Sequence, residues 1–377
     1  MARVRLAYGR TGLEVDVPAG ADVIEPRRQP ALADEATAVR RALREPLGCR
    51  PLRELVPRGA AVGVSVCDVT RPFPAARLLP VLLEEIGPAD VTVFVATGTH
   101  RACTREELER MLGREVLAAV RVVQHDAFDR GRHAELGSVP GTAVPALVER
   151  AFLEQDVRLT AGFIEPHFFA GFSGGPKMVA PGLAHLDTVL ELHSAARIGH
   201  PRATWGVTGG NPVHDPIRAI AARAGVALNL DVTLDDRHRV TAVFAGSLEA
   251  SHAAGCAFAK ETAMAPVSAP YDVVVSTNSG YPLDQNLYQT VKGMSAAAQI
   301  VRPGGAIVMA SECSDGVPEH GRYKDLLREA AGPAEFLDRL ERQAAAEHDQ
   351  WQVQVQALIQ RRARVLVHAG GLTPDQV

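Results

Sequence analysis

Two α/β domains built on mostly parallel sheets are what this sequence predicts, on three observations. Short apolar, β-branched segments alternate with longer stretches of helical periodicity. Two of those segments run straight into polar or glycine-rich loops, Cys67-Asp68-Val69-Thr70-Arg71-Pro72 and Ala96-Thr97-Gly98-Thr99-His100-Arg101. The length, 377 residues, suffices for two domains with a proper core each.

The elements follow in order. Residues 61–66 are apolar without interruption and read as a buried strand, 73–85 as a helix and 91–95 as the next strand. Residues 104–112 read as a helix capped by Thr104, with Glu106, Glu107 and Glu109 near its start, and 120–123 as another strand. An Ala-rich helix around 251–263 is followed by the turn-forming Pro266 and Pro270. A second α/β region then begins near Ala269. In it, 271–276 is a strand, 286–299 a helix, 306–310 a strand after the Pro303-Gly304-Gly305 turn, and 364–367 a short last strand. The expected domains are 1–268, carrying the chemistry, and 269–377, closing over the substrate, with a cleft between them. Residues 1–60 carry little periodic signal, and 322–355 read mainly as charged amphipathic helix.

With 40 Lys plus Arg against 44 Asp plus Glu the net charge is −4, which offers no global reason to bind nucleic acid or an anionic membrane. A composition of 46% hydrophobic and 22% charged residues excludes the disordered and collagenous classes. Five scattered cysteines lack the short spacings of a zinc knuckle or redox pair, so reduced thiols are expected. The N-terminus is too polar for a signal peptide and no stretch approaches the ~18 apolar residues of a membrane span, so a cytoplasmic location is expected.

Ligands in open α/β sheets bind at the carboxyl ends of strands, so the two loops named above are where chemistry is sought. Arg71, held extended by Pro72, can grip a carboxylate or phosphate while Asp68 fixes a neighbouring donor; a structural Asp-Arg pair is the plain alternative. His100 can serve as a general base, because its free pKa lies near neutrality. The densest segment runs from Gly162 through Glu165-Pro166-His167 and Gly174-Gly175-Pro176-Lys177, with His193 beyond. Its glycines imply tight curvature or close approach to a ligand. Neither a P-loop nor a dinucleotide fingerprint is present, which disfavours a conventional nicotinamide dehydrogenase. His125, His133, His185, His200 and His214 read as surface or hydrogen-bonded histidines and are not assigned together to one metal. Tyr288 and Lys292, four apart, share a helical face beside Gln289 and can close over an anionic substrate, or simply form a solvated first turn.

Taken in order, these motifs resemble the lactate racemase family, the nickel-pincer-nucleotide 2-hydroxyacid racemases and epimerases, over most of the chain. The resemblance implies nickel held in pyridinium-3-thioamide-5-thiocarboxylic acid mononucleotide, attached covalently to Lys177, with His193 as the protein's metal ligand. It implies His100 and His167 as the acid/base pair, Asp68 on the cofactor side, and Arg71, Tyr288, Gln289 and Lys292 as holders of the substrate carboxylate. The implied reaction inverts C2 of a small 2-hydroxy acid by reversible hydride transfer, and the implied partners include cofactor-synthesis enzymes. Phe168, Phe169 and Phe172 suit an apolar wall near C3, Arg197 or Arg202 a dicarboxylate, and Ser276-Thr277-Asn278 a sugar acid. A cofactor-free hydrolase or lyase on a small carboxylate is the alternative, since it would use the histidines without Lys177.

Overall fold

Alternation along four central strands sets the architecture. In the computed structural model, which describes residues 1–319, 321–343 and 345–376, six strands form one sheet. Across it the order is Val240–Gly246, Val226–Leu234, Val157–Phe163, Ala61–Cys67, Asp90–Ala96 and Arg121–Gln124. All neighbours are parallel except the 226–234 and 240–246 pair. Parallel sheets are covered on both faces, and nearly every residue of the central strands is buried.

The two faces differ in kind. Val62, Val64, Val66, Val93, Leu159, Leu230 and Val232 point to one side and pack on helices Glu35–Arg44, Ala75–Ile86 and Arg105–Leu112 through Val39, Leu43, Leu78, Leu79, Leu82 and Leu112. Each such leucine or valine contributes about 1.5–3 kcal/mol by burial. The opposite side carries small or polar residues in register: Gly63 beside Thr92, Ser65 beside Thr160, Thr160 beside Asn229 and Gly162 beside Asp231. That side receives a short 3-10 helix, Gly175–Met178, and the long helix Leu248–Ala263.

The strands and helices expected at 61–66, 91–95, 104–112, 120–123 and 251–263 are all present, with ends shifted by up to three residues. Thr104 closes a capping box with Glu107, two orphan N–H groups being satisfied reciprocally. All five cysteines are free.

The chain groups into two compact units, each assembled from more than one stretch. The six-stranded sheet belongs to Pro26–Leu192 with Thr204–Met264. The other unit comprises Met1–Glu25, His193–Ala203 and Ala265–Val377. It contains the hairpin Ala2–Leu6 with Leu13–Val17 and a parallel sheet ordered Tyr271–Thr277, Val301–Ala310 and Arg364–His368. The turn expected at 303–305 lies inside the 301–310 strand as an irregularity: Tyr271 pairs with Val301 but Val273 with Ala306.

Residues 322–355 correct the expectation of a charged amphipathic helix. They form Tyr323–Arg328, Pro333–Arg342 and the start of Gln350–Arg362; residue 344 lies outside the described residues. Gly332 and Pro333 separate the first two. The third is buried from Gln350 to Ala357 rather than solvated, and its amides satisfy neighbours: Gln354 Nε2 donates to Ala195 O at 2.8 Å, Gln352 to Tyr288 O, and Gln356 accepts from the buried Tyr323 hydroxyl. No helix among the described residues is long and apolar enough to cross a membrane.

Candidate active site

Three adjacent strands, 90–96, 61–67 and 157–163, end on one edge of the large sheet. The chain leaves 61–67 toward 90–96 on one side and returns to its other flank with 157–163, so the strand order reverses there. Crevices at such reversals are the ligand sites of open α/β sheets. Asp68 follows the first strand, His100 the second, and His167 and Lys177 the third.

His100 Nδ1 lies 2.8 Å from Asp68 Oδ2, and the Thr70 hydroxyl donates to Asp68 Oδ1 at 2.7 Å. Burial pushes the Asp68 carboxyl up, but the His100 hydrogen bond and charge, with Arg71 and Thr70, outweigh it and hold the group below the usual carboxylate range. An ionised Asp68 can only accept, so Nδ1 carries the proton and Nε2 is left to exchange protons with a ligand. Asp68 thus grips His100. Arg71 is half-buried, its guanidinium turned back on Thr70 at 3.3 Å.

Lys177 is positioned by glycines that nothing else can replace. Gly174 and Gly175 adopt φ of +74° and +48°, and a Cβ on Gly175 would sit 2.4 Å from the His252 ring. Asp231 accepts from the Gly175 N–H at 2.9 Å, Ser65 Oγ donates to Met178 O at 2.7 Å, and Gly98 N donates to Gly182 O at 3.0 Å. The last bond joins the His100 loop to the segment behind Lys177. Burial pushes the Asp231 carboxyl up to about 7, with Asn229 and the Gly175 N–H opposing. Lys177 Nζ lies 3.3 Å from His167 Nε2. His167 Nδ1 accepts weakly from the backbone N–H groups of Phe169 and Ala170, at 3.4 and 3.3 Å.

Among the aromatic residues expected as a pocket wall, Phe168 and Phe169 pack on the His167 ring at 4.9 and 4.6 Å, but Phe172 is turned into a core cluster with Ile164, Cys256 and Ala259.

His193, Tyr288, Gln289 and Lys292 belong to the other unit. The buried His193 ring lies 4.7 Å from the Trp351 ring. Helix Leu287–Ala298 carries the remaining three in its first turns, capped by Asn286, which accepts from Gln289 N at 3.0 Å. Lys292 Nζ donates to Gln289 Oε1 at 2.7 Å, and Tyr288 meets Tyr323 edge-on at 5.2 Å. All three are half-buried, which removes the plain solvated-turn reading. Asn278, read as part of a polar recognition loop, is buried and donates to Gln289 O at 2.9 Å, so it braces the helix start.

Known families settle what this arrangement belongs to. Residues 8–206 match the lactate racemase N-terminal domain and residues 267–377 the lactate racemase C-terminal domain. The chain belongs to the lactate racemase family. It is 34% identical over 383 aligned residues to the lactate racemase of Thermoanaerobacterium thermosaccharolyticum, covering 97% of this chain and 88% of that protein. It is 36% identical over 340 residues to the lactate racemase of Lactiplantibacillus plantarum, covering 89% and 78%. The structure of the lactate racemase apoprotein from T. thermosaccharolyticum matches with a TM-score of 0.92 at 33% identity, over 98% of this chain and 88% of that one.

Several residues packed around these side chains escape a linear reading. Asp231 is the chief one, and its signal is visible in retrospect: Asn229, Asp231 and Thr233 alternate with Leu228, Leu230 and Val232 in one strand. His252 and Trp351 carry no such mark.

Proposed function

We propose that this chain is a racemase or epimerase inverting C2 of a small 2-hydroxy acid, with lactate the first substrate to test. The observation that carries the reading is a pair of histidines on joined loops, each with one ring nitrogen already committed by the fold. His100 holds its proton on Nδ1 against Asp68, so its Nε2 is bare and acts as a base toward the substrate hydroxyl. His167 accepts at Nδ1 from two backbone N–H groups, so its neutral ring carries the proton on Nε2 and starts as an acid. Racemisation needs such complementary states, because one residue takes the oxygen-bound proton that the other returns on the opposite face. Asp68 stabilises the His100 imidazolium once it forms. Arg71, Tyr288, Gln289 and Lys292 are proposed to hold the substrate carboxylate, with Gln289 keeping the Lys292 ammonium aimed.

Lys177 and His193 fit the family's nickel pincer nucleotide by donor chemistry. A half-buried primary amine held in a glycine-rich turn suits a thioamide link, because a lysine amine is the nucleophile such a link needs. An imidazole at His193 is an ordinary nitrogen ligand for nickel. When bound, this group supplies a reversible hydride acceptor, which spares the substrate a dianionic carbanion. Cofactor-synthesis enzymes are the partners this requires.

The deciding experiment is coexpression with those enzymes, followed by intact mass, nickel analysis and a chiral screen of 2-hydroxy acids. An adduct on Lys177 with near-stoichiometric nickel and inversion of one acid is expected, and Lys177→Ala should abolish both adduct and activity. An unmodified lysine under conditions that mature another family member would refute the cofactor assignment and favour the hydrolase or lyase.

A further inference from the structure

Away from Lys177, at the free edge of the large sheet, three buried groups from different segments meet. His125 follows strand Arg121–Gln124, while His133 and Glu149 sit opposite each other in the antiparallel pair His133–Ser138 with Pro145–Glu149. All three are at least 97% buried. One ring nitrogen of each histidine and one carboxylate oxygen of Glu149 lie within 4.8 Å of one another. His125 Nε2 and His133 Nε2 are 3.0 Å apart.

The hydrogen-bond partners fix both tautomers. His133 Nδ1 is 2.9 Å from the Asp129 carbonyl, which can only accept, so the proton is on Nδ1. Thr97 commits its single hydroxyl hydrogen to the His125 carbonyl at 2.9 Å, leaving its oxygen to accept from His125 Nδ1, with the Gly98 backbone as a further partner of the same ring. Each neutral imidazole has therefore used its one proton, and two bare lone pairs face each other. Glu149 adds a carboxylate oxygen, Oε2, that lacks a well-formed hydrogen bond although Arg132 Nη2 stands 3.0 Å away.

We propose that His125, His133 and Glu149 form a structural site for a borderline divalent cation of the zinc class. Two neutral imidazoles with their far nitrogens on backbone acceptors, plus one carboxylate, are an ordinary zinc ligand set with its outer shell in place. Two nitrogens bound at 2.0–2.1 Å to a tetrahedral ion stand about 3.3 Å apart, so the rings need to separate by only a few tenths of an ångström. The ion would clasp the 133–149 hairpin to the loop bearing His100, because His125 is bonded to Thr97 and Gly98 of that loop. This inference is independent of the reaction proposed above and does not involve Lys177 or His193.

The test uses the full-length chain made without cofactor-synthesis enzymes and stripped with chelator. Titration with Co2+ should give one equivalent with the visible absorption of a four-coordinate ion, displaced by Zn2+. His125→Gln and His133→Gln should each weaken binding at least tenfold, while His193→Ala leaves it unchanged. Should either variant fail to fold, X-ray absorption on the zinc-loaded wild type decides, with two imidazoles in the coordination shell expected. No stoichiometric Co2+ or Zn2+ binding by the wild type, binding unchanged in both folded variants, or a shell without two imidazoles would each overturn the proposal.

Discussion

His100 and Asp68 face each other across 2.8 Å, and the charge on that one carboxylate selects which ring nitrogen is left for the proposed acid/base role. Asp68→Asn keeps the size but lets an amide N–H meet Nδ1, which moves the ring proton to Nε2. Racemisation should fall about 10²–10⁴-fold in kcat with KM nearly unchanged, as a chiral assay on matured enzyme would read. Thermal unfolding of the variant should move little by comparison. Asp68, His100, His167 and Lys177 stood out as candidates in the sequence because each sits in a short polar or glycine-rich segment after a strand, where no long strand or helix periodicity accounts for it. Which nitrogen of each imidazole is free was not legible, since the partners that decide it lie as far as 32 residues away.

In the element that carries Lys177, two left-handed glycines let the chain lie against the polar face of the sheet. Gly175→Ala forces a Cβ to 2.4 Å from His252 at a φ of +48°, so it should cost about 2–4 kcal/mol in denaturant unfolding. Covalent modification of Lys177 in matured protein should drop in parallel. Helix Gln350–Arg362 makes the opposite point about patterns. Its opening Gln-Trp-Gln-Val-Gln-Val-Gln alternates with period two, as a strand would, yet it is helical because its polar positions find partners on several sides. Gln356→Leu should destabilise by about 1–3 kcal/mol by leaving the buried Tyr323 hydroxyl without its acceptor. Adding Tyr323→Phe should recover part of that loss, a coupling that a double-mutant cycle in urea would measure.

For the whole molecule, buried histidines govern the response to acid. Burial lowers His125 and His214 to about 3, His252 to about 4, and His133 as well. In each case the folded pKa lies below the unfolded one near 6.5, so the stability is complete above that value and is lost progressively as pH falls below it. Asp231 has the opposite sign: raised from 3.8 to about 7, it stabilises most at low pH and loses that contribution as pH rises through 7. Four groups outweigh one, so Tm should begin to fall below about pH 6.5, earlier than carboxylate titration alone would bring. Asp231→Asn should steepen that fall, as scanning calorimetry between pH 4.5 and 7.5 would show.

Local chemistry determined much of this by itself. Apolar β-branched runs specify strands, capping residues specify helix starts, and loops after strand ends concentrate reactive side chains, so the α/β class and most catalytic candidates could be read from neighbours along the chain. Tertiary structure alone decided the rest. It separated the sheet into an apolar face and a polar one that receives the Lys177 segment, grouped residues 193–203 with 265–377, buried the glutamine-rich helix, and opposed His133 to Glu149 beneath His125. The physical reason is range. Helix, strand and turn preferences act over a few residues, whereas desolvation, tautomer choice and hydrogen-bond satisfaction depend on what the fold brings within about 3 Å.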